Sequence, residues 1–316
     1  MNICVLDKSS MGDDTPFEPI YKFGKVTIYD STTPEQIKDR LFDAEVVITN
    51  KVKITDKAIS EAKRLMLICV FATGFDNIDI ESAKKHGVAV CNVPGYSTDS
   101  VALLTVSTAL SLYSHLFEYK EYVSSGAYSA SGVANRLVPV FHELRGKCWG
   151  IVGYGNIGKA VAKIAEAFGM RILVNKKTPI TDAECVDIDT ICKESDIISL
   201  HCPLNDGTRK LINSDRLSLM KKDAILINEA RGAVVDEAAV ASAIKEGSIG
   251  GFGCDVYSEE PFTKEHPYSQ IMNLKNVILT PHAAWGAYEA RARCVTTIAN
   301  NIQSFVDNKI LNRVDI

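Results

Sequence analysis

"GYGNIGKAVAKIAEAFGMRILVNKK", residues Gly153 to Lys177, decides the fold. Gly153, Gly155 and Gly158 hold the G-x-G-x-x-G spacing. An apolar strand, Trp149 to Val152, enters the loop and a helix from Asn156 to Phe168 leaves it. In that setting the first glycine permits a tight turn, the second admits a pyrophosphate to the backbone, and the third lets helix and strand pack closely. The free N–H groups and partial positive charge of the helix N-terminus suit phosphate. The three glycines alone are a weak motif, since a tight turn before a packed helix has the same pattern; the strand and helix on either side make it a dinucleotide loop. About twenty residues on, the pattern calls for an Asp or Glu to hold a ribose 2′-hydroxyl. This chain has Asn175, Lys176 and Lys177 there.

Outward from the loop, short apolar runs alternate with amphipathic stretches, the mark of βαβ units and parallel sheets. Upstream the expected strands are "NICVLD", "VTIYD", "EVVITN", "LMLICVFAT" and "VAVCNV", with helices at "PEQIKDRLFD" and "TDKAISEAKR". Pro94 and Gly95 break the chain before a long apolar helix expected from Asp99 to about Tyr119. Downstream come "RILVN", "DIISLHC", "AILINEA", "GGFGCDV" and "NVILT", then one amphipathic helix in "AYEARARCVTTIANNIQSFVDN". A length of 316 residues suits two domains. The expected architecture is α/β, two doubly wound parallel-sheet domains with a cleft between them, the default place for a ligand.

A chain that is 46% hydrophobic and 23% charged has the composition of a soluble globular protein. Its net charge of -4 argues against a nucleic-acid partner, which needs a concentrated basic surface. No apolar run reaches the length of a membrane span, and "MNICVLD" lacks the features of a signal peptide. Nine cysteines stand singly, several of them, such as Cys4, Cys69, Cys148 and Cys254, inside apolar runs. A reducing cytoplasm fits, and without metal-ligand spacing no metal is expected.

Ligands of open α/β sheets bind beyond the carboxyl ends of the strands. Past "AILINEA" stands Arg231, past "GGFGCDV" stand Glu259 and Glu260, and past "NVILT" stands His282. Each alone reads as well as a surface charge or a satisfied polar residue. Together, on the rim that carries the glycine loop, they form a kit. Arg clamps a carboxylate bidentately. His passes a proton, and a carboxylate beside it favours the imidazolium and fixes its tautomer. Such a set serves to reduce a 2-oxo acid with a nicotinamide hydride.

"NEARGAVVDEAAV", "DVYSEEP" and "LTPHAAW", in this order after "GYGNIG", resemble the D-2-hydroxyacid dehydrogenases over essentially the whole chain. "TNK" near residue 50, "ATGFDNID", "VPGYSTDSVA" and "HAAWGAYEAR" are similar to the glycerate dehydrogenase (hydroxypyruvate reductase) branch. The resemblance implies a flavodoxin-like substrate domain, residues 1–98 and 286–316, and a Rossmann cofactor domain, residues 99–285. It implies Arg231 as the substrate clamp, His282 as general acid/base and Glu260 as its partner. Lys51, Ala72, Thr73, Gly74 and Trp285 would join Arg231 and His282 around the substrate. Around NADP(H) or NAD(H) it places Thr98, Gly153, Tyr154, Gly155, Asn156, Ile157, Gly158, Asn175, Lys176, Lys177, His201, Cys202, Pro203, Thr208, Glu229, Ala230, Arg231, Asp255, His282 and Ala284. It also implies a homodimer formed through the long helix of the second domain.

Two departures bear on this. Leu103 stands where the family often has an acidic or amide residue, and Lys176 stands where its NAD-type members carry Asp. The expected activity is reduction of hydroxypyruvate or glyoxylate to the D-2-hydroxy acid, with NADP(H) favoured. Rival readings are a nucleotide-sensing corepressor-like protein on the same scaffold, or a dehydrogenase of the D-lactate or phosphoglycerate type. The formate dehydrogenase branch carries Gln at the Glu260 position.

Overall fold

Five apolar runs of the N-terminal third form one sheet: β1 (Asn2–Val5), β2 (Lys25–Ile28), β3 (Val46–Thr49), β4 (Leu67–Val70) and β5 (Ala89–Cys91). All pairings are parallel, and the order is β2-β1-β3-β4-β5. Both faces are covered, which is why β3, β4 and β5 are buried at every residue and read as continuous apolar runs. The computed structural model describes residues 1–178, 181 and 183–316.

This sheet belongs to one of two compact units, Met1–Ser97 with Gly286–Ile316; the other is Thr98–Trp285. The chain's last segment returns to the first unit for visible reasons. Helix Tyr288–Val306 buries Cys294, Val295, Ile298 and Ile302, and its Asn301 amide donates to Asn92 O (2.9 Å). The tail then pairs with β5: Val314 N–H donates to Val90 O (2.9 Å), and Val90 N–H donates to the Asp315 carboxylate (2.9 Å).

The second unit holds a seven-stranded parallel sheet: β6 (Cys148–Val152), β7 (Arg171–Asn175), β8 (Glu184–Cys185), β9 (Ile197–Leu200), β10 (Ile225–Asn228), β11 (Gly251–Cys254) and β12 (Val277–Leu279). Its order is β12-β11-β10-β9-β6-β7-β8, so the direction of winding reverses between β6 and β9. A doubly wound sheet binds ligands at the carboxyl end of such a switch point. Helix Asn156–Ala167 leaves β6 there, and helix Thr98–Tyr113 packs against β10 and β11.

Two elements differ from the sequence expectation. The long apolar helix ends at Tyr113, and a second helix, Leu116–Ser124, follows at an angle of 63°. Ser114 turns its hydroxyl back to Leu110 O (2.7 Å), and His115 is left-handed at φ 52°, so the helical ladder stops. The two-residue strand β8, carrying no apolar run, was not anticipated. Among the described residues no single helix is long and apolar enough to cross a membrane, and no group of three or more potential ligands is placed to hold a metal ion.

Candidate active site

Register aligns the residue just past each of six strands of the second sheet, β7, β6, β9, β10, β11 and β12. Because Val152 pairs with Asn175 and Leu200, Leu200 with Asn228, Asn228 with Cys254 and Cys254 with Leu279, the next residues form a row. The row reads Lys176, Gly153, His201, Glu229, Asp255, Thr280. Five of these six were candidates in the sequence; Thr280 was not.

The glycine loop has the shape a dinucleotide needs. Gly153 sits at φ 94°, and a Cβ there would lie 2.6 Å from Cys202 N, so only glycine passes between β6 and the end of β9. A Cβ on Gly158 would lie 2.2 Å from Gly153 O, which is the close helix–strand packing expected of the third glycine. By contrast a Cβ on Gly155 would meet nothing within 4 Å: this backbone is open to a ligand. No side chain caps the helix Asn156–Ala167 that starts here, which leaves its first N–H groups available to phosphate. Tyr154 turns inward instead, 8% exposed in the core against Trp149 and Val106, so only its backbone faces this loop. Ile157 is partly buried against the same core.

His201 and Glu229 carry polar atoms without partners. Trp149 Nε1–H donates to Ser199 Oγ (2.9 Å), and the same oxygen shares a hydrogen bond with His201 Nε2 (3.0 Å). The other ring nitrogen, Nδ1, is buried and has no partner. Burial pushes this imidazole down to about 3. One strand over, Glu229 is buried and its Oε2 has no partner. Burial, with Asp255 adding to it, pushes this carboxyl up to about 9, so it is a neutral acid at pH 7. A buried orphan ring nitrogen at the switch point fits a bound nicotinamide nucleotide, whose polar atoms would satisfy it.

Asp255 is the satisfied member of the row. Almost wholly buried, it accepts from Thr280 Oγ1 (2.5 Å), Ala283 N–H (2.8 Å) and Ala284 N–H (2.9 Å). Burial raises its carboxyl, and these bonds work against that. The three donors flank His282, whose backbone is held at φ 53°. A left-handed histidine persists where its surroundings over-determine it.

His282 Nδ1 lies 2.6 Å from Glu260 Oε2. The carboxylate accepts, so Nδ1 carries the proton and Nε2 is left to exchange one with a ligand. Glu260 is aimed by Tyr257 N–H, which donates to its Oε1 (3.0 Å). The Arg231 turn is braced by Asn228: Asn228 Nδ2 donates to Arg231 O (3.0 Å), while Ala230 N–H donates to Asn228 Oδ1 (3.2 Å). Arg231 spends one donor on Ala230 O (2.8 Å) and makes no ion pair among the described residues. The rest of its guanidinium is available to an anion.

Other candidates serve the loops. Thr208 donates to Pro203 O (2.6 Å) and accepts from Asn205 N–H (2.8 Å), shaping the turn after β9 whose Cys202 is buried and Pro203 exposed. Asn175 Nδ2 is committed to Val186 O (2.9 Å), whereas Lys176 and Lys177 are exposed. Ala230 and Ala284 are buried; Thr98 and Trp285 are half-buried. In the first unit, the Ala72 and Thr73 carbonyls are taken by Val93 N–H and Asn92 Nδ2, and the Ala72, Thr73 and Gly74 N–H groups have no partner among the described residues. Lys51 is exposed, its N–H held by Asp7 Oδ2 (2.6 Å). Asp7 also takes the Asn50 and Val52 N–H groups; it stands beyond β1, where the strand-end rule applied to the first sheet would have found it.

Residues 106–284 match the model of the "D-isomer specific 2-hydroxyacid dehydrogenase, NAD binding domain". A glyoxylate reductase of Thermococcus litoralis is 39% identical over 92% of this chain and 90% of its own. A glycerate dehydrogenase of Methylorubrum extorquens is 38% identical over 91% of each chain. Among solved structures, an acyclic imino acid reductase in complex with NADPH and D-Arg superposes with a TM-score of 0.87 at 32% identity, covering 99% of this chain and all of the other. The chain belongs to the D-isomer specific 2-hydroxyacid dehydrogenases and is an oxidoreductase that uses a nicotinamide cofactor on 2-oxo and 2-hydroxy acids.

Glu229 generates a pH prediction. Its folded pKa, about 9, lies above the unfolded value near ~4.3, so the stability it contributes is complete below ~4.3 and is lost as pH rises toward 9. Glu229→Gln lacks this loss. The variant should therefore gain on wild type by up to ~1.4 kcal/mol per pH unit from pH 6 to 8 in urea unfolding of the cofactor-free protein. A gap that does not change with pH would show that the acid is not buried neutral.

Proposed function

We propose that this protein reduces a small 2-oxo acid, hydroxypyruvate or glyoxylate, to the D-2-hydroxy acid, with NADPH as the preferred reductant. The observation that carries the reading is the 2.6 Å contact of His282 Nδ1 with Glu260, which leaves Nε2 to deliver a proton. Relatives named for glyoxylate reduction and glycerate oxidation support the substrate class. When bound, the nicotinamide supplies the hydride for the substrate's carbonyl carbon. Arg231 orients the substrate carboxylate and stabilises charge growing on the carbonyl oxygen. His282, protonated, gives its Nε2 proton to that oxygen, and Glu260 stabilises the imidazolium until the proton is replaced.

The test is a panel of hydroxypyruvate, glyoxylate, pyruvate, phosphohydroxypyruvate and branched 2-oxo acids, followed by nicotinamide absorbance. Hydroxypyruvate or glyoxylate should be fastest. His282→Ala should lose roughly 10²–10⁴-fold in kcat, the usual worth of general acid–base catalysis. Arg231→Ala should suffer in both kcat and KM, since the clamp acts on ground and transition states alike. Cofactor binding without turnover on any acid would favour a nucleotide-sensing corepressor-like role instead.

Cofactor preference follows from the row. An acidic side chain past β7 would accept from ribose hydroxyls and repel a 2′-phosphate; Lys176 does neither, and Lys177 adds a second ammonium. Asn175 spends its amide donor on Val186 O. One charged hydrogen bond of about 1.5–3 kcal/mol corresponds to roughly a ten- to hundredfold preference in kcat/KM for NADPH. Lys176→Asp should reverse it. A wild-type enzyme that favours NADH would defeat this reading.

A homodimer in the cytoplasm completes the proposal. Leu116 and Phe117 and, twenty positions on, Leu137, Val140 and Phe141 are all more than half exposed, large apolar side chains of the kind a protein contact covers. Sedimentation should give twice the 34.5 kDa chain mass, and Phe141→Asp with Leu137→Asp should shift it toward the monomer. A monomeric wild type at micromolar concentration would refute the assembly.

A further inference from the structure

Ser258, Glu237 and His266 form a polar cluster outside the reacting groups. Ser258 N–H donates to Glu237 Oε1 (2.9 Å), and its hydroxyl donates to Glu237 Oε2. His266 reaches the same Oε2 through Nε2 (3.0 Å). Tyr268 N–H donates to His266 Nδ1 (3.2 Å), which fixes the ring proton on Nε2 and makes His266 the donor to Glu237. Phe262 and Tyr268 pack on the His266 ring, each with its centroid 4.9 Å away. The Glu237 side chain is 10% exposed and that of His266 4%. The carboxylate thus receives three donors in a largely dry setting.

Two observations argue against a role in helix formation alone. Helix Glu237–Glu246 is already capped by Asp236, which accepts Ala239 N–H (3.3 Å). Glu237 instead turns away to grip a residue twenty-one positions on. The residue it grips shares a peptide bond with Tyr257, and that peptide is where the loops of the site meet. Tyr257 N–H aims Glu260 at His282. On the peptide's other side lies Gly232, whose Cβ, if it had one, would sit 2.0 Å from Tyr257 C and 2.2 Å from Ser258 N. Gly232 follows Arg231. Two successive peptides hinged at Tyr257 therefore set the acid/base pair and the turn of the clamp.

We propose that Glu237, backed by His266, is a positioning residue of the reaction: by holding Ser258 at both N–H and O–H it fixes the Tyr257–Ser258 peptide, which seats the Arg231–Gly232 turn, and through it anchors the Tyr257 backbone whose N–H orients Glu260. The inference rests on the reading of Glu260 and His282 as the acid/base pair. Without the grip Ser258 is released, the Tyr257 backbone loses its anchor, and the Tyr257 N–H one peptide upstream can shift off Glu260. Glu237 itself touches neither substrate nor cofactor in this account.

Glu237→Gln keeps the shape but offers an amide to donors that require an acceptor. Its kcat should fall about 10²-fold, the cost of a misplacement of order 1 Å, while the Kd for NADPH, measured by fluorescence in the absence of substrate, stays within about twofold. Ser258→Ala, which removes one of the three donors, should fold normally and lose less. The decisive comparison is the double variant Glu237→Gln/Glu260→Gln. Residues that act through one another are non-additive, so the double variant should lose clearly less than the product of the two single losses, keeping only the share that passes through the Arg231–Gly232 turn. Losses that multiply, or Glu237→Gln and Ser258→Ala enzymes as fast as wild type, would overturn the inference. An inert wild type, by contrast, would count against the proposed function and not against this network.

Discussion

A carboxylate buried at the end of a strand must find donors, and Asp255 finds three in the segment around His282. An unsatisfied buried carboxylate costs several kcal/mol (order of magnitude), so Thr280, Ala283 and Ala284 have little choice of position. Their convergence bends the chain through a left-handed His282. The histidine is thereby presented by a constraint from inside the sheet, with no support needed from its own side chain. The imidazole is left with one partner, Glu260, and one free nitrogen.

The same edge holds groups left unsatisfied. His201 Nδ1 and Glu229 Oε2 are orphaned within a row whose other members are paired or open to ligand. Native chains keep few such atoms, and each asks for a reason. A nucleotide crossing the switch point would supply one for His201. Glu229 escapes the cost of a buried charge by staying protonated, as its carboxyl pushed up to about 9 requires. Stability given up here is recovered in the apolar core beneath, where β6, β9, β10 and β11 are buried throughout.

Much of this was legible in the sequence because parallel strands are written as unbroken apolar runs, and because all of them end on one edge. Reading past each run picked out Arg231, Glu260 and His282, whereas His201, Glu229 and Asp255 lay inside the runs as read and entered through the family resemblance. The break at Ser114–His115 was not legible, since Ser and His differ little in propensity from their neighbours and the apolar pattern runs on through them. Nor was β8, too short to show a pattern. The burial of the Tyr154 side chain was not legible either: a motif specifies backbone, and the side chain at a variable position follows the local core. Glu237 and His266 are separated by 29 residues, and no spacing rule connects a helix start to a loop that folds back on it.

The acid/base pair is the more exposed layer of the site. Side-chain exposure is 28% for His282 and 32% for Glu260, against 4% for His266 and 10% for Glu237. An ion pair that open to solvent gains little from Coulomb attraction, on the order of 1 kcal/mol or less. Attraction therefore cannot be what keeps Glu260 pointed at Nδ1. Direction must come from groups held more deeply: buried Asp255 fixes the histidine backbone, and the largely buried Glu237, through Ser258, anchors the Tyr257 backbone that aims the glutamate. Openness where protons are exchanged and rigidity one residue deeper are the two requirements of a proton-transfer site, and this fold meets them with separate sets of residues.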